Sequence, residues 1–102
     1  MPRNSDVEFA WDERPGENVD HIAEHGLVPN DWEALFFSAP DHDHDKEHAE
    51  LWVAEGRLRG HRYRIVYKLL EGTVIYPVLV FPITGFPITR RGLRRPYGGQ
   101  LQ

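Results

Sequence analysis

The spacing of apolar residues changes along this chain of 102 residues. Between residues 18 and 37 the apolar residues recur three or four positions apart, which is the period of a helix that buries one face. From residue 51 to residue 70 they alternate with polar residues, as in a strand with one buried face. Because both patterns leave a face to be covered, the chain is predicted to pack helices against one face of an antiparallel sheet.

Two short helices are predicted in the first half of the chain. The first begins at Asn18, which is a good N-cap residue, and ends at Gly26. Gly26 can take the left-handed conformation that ends a helix, so that Leu27 folds back onto the helix as its apolar partner. The second helix begins at Asn30 and ends before Pro40, because the residue preceding a proline is driven out of the helical region.

Short strands are predicted on both sides of the helices. The alternation of Val7, Phe9 and Trp11 with polar or small residues predicts a short N-terminal strand. The later alternation predicts three more strands with turns between them, and the proline-containing repeat after them is expected to form a turn with short extended flanks. These later segments are strands at 50–57, 61–70 and 73–81, turns at 56–60 and 71–72, and the repeat at 81–89.

The predicted fold is therefore a single small α+β domain. A short N-terminal strand and two short helices pack on a three- to four-stranded antiparallel sheet, with the domain spanning residues 6–95 and flexible termini at 1–5 and 96–102. The absence of cysteine excludes disulfides and thiolate metal ligands. No apolar run reaches the roughly 18 residues of a membrane span, so a cytoplasmic protein with no membrane partner is expected.

Charge is divided unevenly along the chain. All of the 16 acidic residues except Glu71 lie in residues 1–55, whereas most of the 12 Lys and Arg residues lie in residues 56–102. Such an asymmetry suggests an acidic partner for the basic half, and nucleic acid is the commonest one. The alternative is that the two halves neutralise each other within one fold.

Residues 41–48 alternate acidic side chains with histidines. Imidazole and carboxylate groups are competent metal ligands, but here they lie in one loop without a second, fixed pair of ligands. A solvated acidic loop is the favoured interpretation, and no metal or other cofactor is assigned. The side chains concerned are Asp41, His42, Asp43, His44, Asp45 and His48.

Four segments, in their order and spacing, resemble the BrnT family of type II toxins. These toxins are small ribonucleases similar to the RelE/ParE toxin superfamily, so the resemblance implies a RelE-like fold. The matching segments are Phe9-Ala-Trp-Asp12, the helix end at His25-Gly26, the glycine and arginine positions Gly56-Arg57 and Gly60-His-Arg62, and the basic segment Ile88-Thr-Arg-Arg91.

The resemblance implies a metal-independent endoribonuclease that acts on RNA. It also implies a cognate antitoxin of the ribbon-helix-helix, DNA-binding type that masks the basic sheet face. Arginine holds phosphate bidentately and stays charged, and histidine titrates near neutral pH, so both suit phosphodiester cleavage. The predicted catalytic residues are Arg57, Arg64 and His25, and the predicted nucleic-acid-binding residues are Arg62, Lys68, Arg90 and Arg91.

Two alternatives stay open. His25 lies in the last turn of a helix, where a histidine more often interacts with free carbonyls and the helix dipole than with a substrate. Glu24 and Gly92 stand where the typical toxin carries Lys and Glu, respectively. The loss of this Lys and this Glu favours a non-catalytic module on the same fold that binds nucleic acid or a protein partner.

Overall fold

The computed structural model describes residues 7–71 and 78–88. Along the described part of the chain there are five strands and two helices, and both helices come between the first strand and the second. The predicted flexible termini at 1–5 and 96–102 lie outside the described residues. In chain order the elements are β1 (Val7–Phe9), α1 (Asn18–Ala23), α2 (Pro29–Ser38), β2 (His42–His44), β3 (Trp52–Leu58), β4 (His61–Glu71) and β5 (Val78–Pro87).

The strands form one mixed sheet in the order β1-β5-β4-β3-β2. β1 runs parallel to β5, with Val7 opposite Val78, and every other neighbouring pair is antiparallel. The α+β class with two helices and a short N-terminal strand is confirmed, but a purely antiparallel sheet of three to four strands was wrong. Local alternation identifies a strand without identifying its neighbour, and β1 pairs with the strand most distant from it in the chain.

β2 lies inside the segment predicted to be a polar loop. His42 pairs with Ala54 and His44 with Trp52 at the edge of the sheet. Strand patterns are recognised by apolar alternation, and this strand contains only histidine and aspartate. Both histidines contact aromatic rings: half-buried His42 lies beside Phe36, and exposed His44 lies beside Trp52, with ring centroids 4.0 Å apart.

β5 continues through the segment predicted to be a turn. It pairs with β4 as far as Pro87, and the register shifts between Val66 and Tyr67, which face Thr84 and Pro82 respectively. Ile83 is therefore the extra residue of a bulge, which absorbs the irregularity that prolines introduce into a strand.

The end of α1 is as predicted. Gly26 has a φ of 81°, and its amide donates to the Ala23 carbonyl while the Leu27 amide donates to the Ile22 carbonyl. This pair of hydrogen bonds is the Schellman motif, and Leu27 is buried. No helix in the described part of the chain is long and apolar enough to cross a membrane.

The starts of both helices differ from the prediction. α2 begins at Pro29, one residue before the predicted cap, and its first turn is closed by the Val28 amide, which donates to the Asp31 carboxylate over 3.1 Å. Asn18 is the first residue of α1 and does not cap it, because its side chain is buried against the sheet with 5% exposure.

The Asn18 side chain joins three separate segments of backbone. Its Oδ1 accepts from the Asp12 amide at 2.8 Å, and its Nδ2 donates to the Ala10 and Pro82 carbonyls, each at 2.9 Å. These bonds link the segment after β1 to the start of α1 and to β5. A buried backbone group that loses its partner costs about 1–3 kcal/mol. The Asn18 side chain therefore contributes strongly to the attachment of α1 and the segment after β1 to β5.

We expect Asn18→Ala to lower the free energy of unfolding by about 3 kcal/mol or more, because three backbone groups lose their partners. Urea denaturation followed by tryptophan fluorescence measures the change. Asn30→Ala is the matched control, because Asn30 is exposed on α2, and it is expected to change stability by less than about 0.5 kcal/mol. Equal losses in the two variants would contradict the role assigned to Asn18.

Candidate functional site

Both helices lie against one face of the sheet. The face opposite the helices carries the alternate side chains of the central strands, and it is named here the open sheet face. On β3 and β4 its residues are Val53, Glu55, Arg57, Arg62, Arg64, Val66 and Lys68, all of them half-buried or exposed. The predicted division of β4 into an apolar face and a basic face is confirmed, since Ile65 and Tyr67 are buried on the helix side.

A carboxylate lies between two arginines at the centre of this face. Glu55 is directly opposite Arg64 in the β3–β4 ladder. Its Oε2 accepts from Arg64 Nη2 at 2.6 Å and Nε at 3.1 Å, and its Oε1 accepts from Arg62 Nη2 at 2.7 Å. One carboxylate thus fixes the positions of two guanidinium groups that are both still partly open to solvent.

The charge state of Glu55 follows from these contacts. The hydrogen bonds from Arg64, and then the positive charges of Arg64 and Arg62, lower the pKa of Glu55 below its usual value against the opposing effect of burial. Glu55 is therefore ionised at neutral pH, and the cluster of Glu55, Arg62 and Arg64 carries one net positive charge.

Arg57 occupies a different electrostatic position. It lies directly opposite Arg62 in the β3–β4 ladder, and it is exposed. Like charges at opposite positions destabilise a sheet. The hydrogen bond from Arg62 to Glu55 reduces this repulsion, because the carboxylate offsets the positive charge of Arg62. Among the described residues no carboxylate pairs with Arg57, so its guanidinium is available to an external anion.

An open cleft of about 580 Å³ lies beside this cluster. One wall is the part of β3 after Ala54, which extends beyond the pairing with β2 and whose edge no described strand covers. The other wall is the segment that leaves α2 and enters β2. The cleft is lined by Ser38, Pro40, Asp41, Asp43, Val53, Ala54, Glu55, Gly56, Arg57 and Arg62. Its volume lies in the range of small-ligand sites.

The predicted site residues are only partly brought together. Arg57, Arg62 and Arg64 share the open sheet face with Lys68, which is exposed farther along β4 beside Phe81 of β5. His25 lies just after α1, with its ring centroid 6.1 Å from that of Phe86 near the end of β5. Arg90 and Arg91 lie outside the described residues.

Glu55 is the functional candidate that sequence reasoning missed. In the sequence Glu55 belongs to the acidic half of the chain, whereas the register places it opposite Arg64 and within hydrogen-bond distance of Arg62 as well. The signal was present in the alternation, because Glu55 shares its parity on β3 with Arg57. Recognising it required knowledge of which residues of the next strand lie opposite.

The histidines and aspartates of the predicted acidic loop do not converge. His42 points inward and hydrogen-bonds to Tyr67, whereas His44 donates toward the Ala49 carbonyl at 2.9 Å. Asp45 accepts from two amides of its own loop, which lowers its pKa. In the described part of the chain, no group of three or more His, Cys, Asp or Glu residues is arranged to hold a metal ion.

The uneven charge of the two halves is partly neutralised within the fold. Three of the four ion pairs among the described residues join an acid of the first half to a base of the second. Glu55 accounts for two of these pairs, and Asp31 with Arg59 for the third at 3.2 Å. The neutralisation is incomplete, since Arg57 and Lys68 remain as exposed cations on the open sheet face.

Comparisons of the sequence with models of known protein families and with curated proteins gave no match.

We expect Glu55→Gln to lower the free energy of unfolding at pH 7 by about 1 kcal/mol, because Arg62 and Arg64 lose a charged acceptor. The folded-state pKa of Glu55 is lowered, so its contribution is complete above the unfolded value of about 4.3 and is lost as pH falls through the folded value. The difference between variant and wild type should therefore disappear in strong acid.

Urea denaturation at a series of pH values between 3 and 7 measures this difference. Glu50→Gln serves as the control, because Glu50 is exposed in the turn before β3. A Glu55→Gln effect that stays constant down to the lowest pH would show that the lost stability is not due to the ionised carboxylate.

Proposed function

We propose that this protein is a metal-independent endoribonuclease of the BrnT-like toxin type, with its active site on the open sheet face. The observation that carries the proposal is the grouping of one ionised carboxylate, Glu55, with the guanidinium groups of Arg57, Arg62 and Arg64 beside an open cleft. Cleavage of RNA without a metal needs a base for the 2′-hydroxyl and fixed cations for the phosphate, and this grouping can supply both.

The residues take distinct roles in the proposed reaction. Arg57, which no carboxylate of residues 7–71 and 78–88 pairs with, holds the scissile phosphate. Arg62 and Arg64 stabilise the charge that develops on the phosphate oxygens. Glu55 accepts the proton of the 2′-hydroxyl, whose oxygen attacks the phosphorus. The products are a 2′,3′-cyclic phosphate and a 5′-hydroxyl. The leaving oxygen takes a proton from water, and the proton released by Glu55 neutralises the remaining hydroxide and restores the carboxylate. This scheme assigns no step to His25, whose ring lies beside Phe86, the residue paired with Arg64 in the β4–β5 ladder.

The lowered pKa of Glu55 limits the proposed rate. A base that is held ionised by two arginines accepts a proton weakly, so catalysis depends on the phosphate drawing Arg62 and Arg64 away from the carboxylate as substrate binds. Such an enzyme would be slow on small substrates and faster on a longer RNA, whose additional phosphates would contact Lys68 and the predicted basic residues Arg90 and Arg91.

The proposal includes the partner that the resemblance implies. A ribbon-helix-helix antitoxin would cover the open sheet face in the cytoplasm, with acidic side chains opposite Arg57 and Lys68. Half-buried apolar side chains lie between these cations, which gives a covering segment both apolar and charged contacts. The residues concerned are Val53 and Val66, with Leu79 and Phe81 on β5.

A specific observation favours binding without catalysis as the second candidate function. Glu55 is already satisfied by Arg62 and Arg64, and a stable cluster of this kind is also a common structural feature of sheets. On this alternative, Arg57 and Lys68 would bind phosphates of single-stranded RNA, or an acidic protein partner, and the carboxylate would only fix the arginines.

Cleavage of a fluorescent single-stranded RNA in the presence of EDTA separates the two candidates. We expect Arg57→Ala to reduce the cleavage rate by about 100-fold, and Glu55→Gln by at least that factor, because a phosphate-binding cation and the base are removed. Arg14→Ala is the matched control, since Arg14 is an exposed arginine paired with Asp12 in the turn before α1, and it should leave the rate unchanged.

RNA binding, measured by fluorescence anisotropy on the same variants, completes the test. Binding without any cleavage by the wild type would refute the enzyme and support the binding module. If neither cleavage nor binding is seen, nucleic acid as the substrate class is excluded. Cleavage that persists in Glu55→Gln but fails in Arg57→Ala would remove Glu55 from the role of base.

A further inference from the structure

His42 forms hydrogen bonds through both nitrogens of its ring. Nε2 lies 3.0 Å from the Phe36 carbonyl oxygen, and Nδ1 lies 2.7 Å from the Tyr67 hydroxyl. A carbonyl oxygen can only accept, so Nε2 carries the hydrogen of the neutral ring. Nδ1 therefore presents a lone pair, and the Tyr67 hydroxyl donates to it.

The first of these bonds repairs a defect at the end of α2. The Phe36 carbonyl would normally accept from the amide four residues later, but that residue is Pro40, which has no N–H. His42 supplies the missing donor from the neighbouring strand. The ring also packs against the Phe36 ring, with centroids 4.8 Å apart, so β2 is fastened to the helix through one side chain.

The second bond is fixed by the burial of Tyr67. This side chain is 2% exposed and packs against Trp32 and Phe36. Burial raises the pKa of Tyr67 to about 12, so its hydroxyl keeps its proton at any physiological pH. In the described part of the chain, Nδ1 of His42 is the one hydrogen-bond partner of this hydroxyl.

We propose that His42 is an acid-sensitive latch that holds β2 on the sheet when its ring is neutral and releases β2 when the ring is protonated. Protonation places a hydrogen on Nδ1, directly facing the hydrogen of the Tyr67 hydroxyl. The hydroxyl must then rotate to accept, and its own hydrogen turns toward the aromatic rings packed around Tyr67, where the described residues offer it no other hydrogen-bond partner. The imidazolium itself loses its hydration in the same place.

The groups around His42 favour this behaviour. Burial lowers the pKa of His42, and it outweighs the hydrogen bond to Phe36 and the attraction of Asp41, which both act to raise it. Among the described residues, α2 presents the Phe36 carbonyl to the ring, β4 presents Tyr67, and β3 presents Ala54 as the paired residue. Asp41, on the segment before β2, is the charged group whose attraction acts on the pKa of His42, and it is exposed.

Release of β2 would change the edge of the sheet. β2 pairs with Trp52–Ala54, and the rest of β3 is already uncovered at that edge. Without β2 the whole outer edge of β3 becomes available for pairing with a strand of another chain. Asp43, which lines the cleft together with Arg57, would also move away from the cleft. The pH dependence of β2 docking is separate from the proposed ribonuclease activity, which does not require it.

Amide hydrogen exchange measured by NMR tests the latch. The amide of Asp45 donates to the Leu51 carbonyl over 2.9 Å at the end of β2, so its protection factor reports the docking of this strand. Released His42 has a pKa near 6.5 and docked His42 a lower one, so docking is intact above about 6.5. Below that value, protection of Asp45 should fall by up to tenfold per pH unit.

His42→Gln separates titration from packing. A glutamine amide can donate to the Phe36 carbonyl and accept from Tyr67, but it does not titrate. We expect the protection of Asp45 to be independent of pH in this variant and to keep its pH dependence in the control His44→Gln. The protection of Ile65 on β4 should stay constant in all of them, which separates local release from global unfolding.

Two results would overturn the latch. One is a wild-type protection factor for Asp45 that does not change between pH 7.5 and pH 5. The other is the same loss of protection in His42→Gln as in the wild type. If His42→Gln does not fold, direct NMR titration of the wild-type ring decides the question, because a His42 pKa at or above 6.5 contradicts the latch. None of these results depends on whether the protein cleaves RNA.

Discussion

The packing of Trp32 against the sheet determines how the rest of the structure is arranged. This side chain is fully buried, and its indole N–H donates to the Thr84 carbonyl over 3.0 Å, so its one polar group is satisfied. The ring fits because position 85 is a glycine, whose Cβ would otherwise lie 3.1 Å from Trp32 and from Leu27. The interaction holds α2 on the sheet, and Leu27, just after α1, packs beside the same glycine, so both helices lie on one side. No described helix or strand covers the other side.

The chemistry of the open sheet face follows from this one-sided arrangement. Side chains on the covered face must fill the space between helix and sheet without contact with water, and they are almost entirely apolar or aromatic. Side chains on the opposite face are free of that constraint, and there the antiparallel register brings Glu55 between Arg62 and Arg64. The same register opposes Arg57 to Arg62. The face therefore combines an ionic cluster with an arginine for which the described part of the chain offers no carboxylate partner.

The sequence was most informative where a structure depends on neighbours in the chain. The helix end at Gly26 and the two faces of β4 were predicted correctly, because a left-handed glycine and an alternation of apolar residues are local properties. The sequence was least informative where burial depends on distant partners. Asn18 looked like a cap, although its hydrogen bonds to Pro82 and Ala10 make it a buried connector.

The same distinction explains the candidate site. The basic residues of β4 could be named from their alternation, since parity along one strand places Arg62 and Arg64 on the same face. The role of Glu55 required the pairing of two strands, and the docking of His42 required the proximity of α2 and β4. Polar residues at such positions resemble those of an exposed loop until the fold supplies their partners.

The pairing of β1 with β5 has a consequence for the biosynthesis of this chain. Val7 lies beside Val78, so the first strand of the domain cannot find its place until the last strand has left the ribosome. Until then Phe9 cannot dock against Trp32 and Phe36, its eventual ring contacts in the core, and α2 has no completed sheet beneath it. Contacts that close so late along the chain slow folding and prolong the exposure of apolar surface. The nascent domain is therefore exposed to aggregation and proteolysis until β5 has emerged and paired with β1.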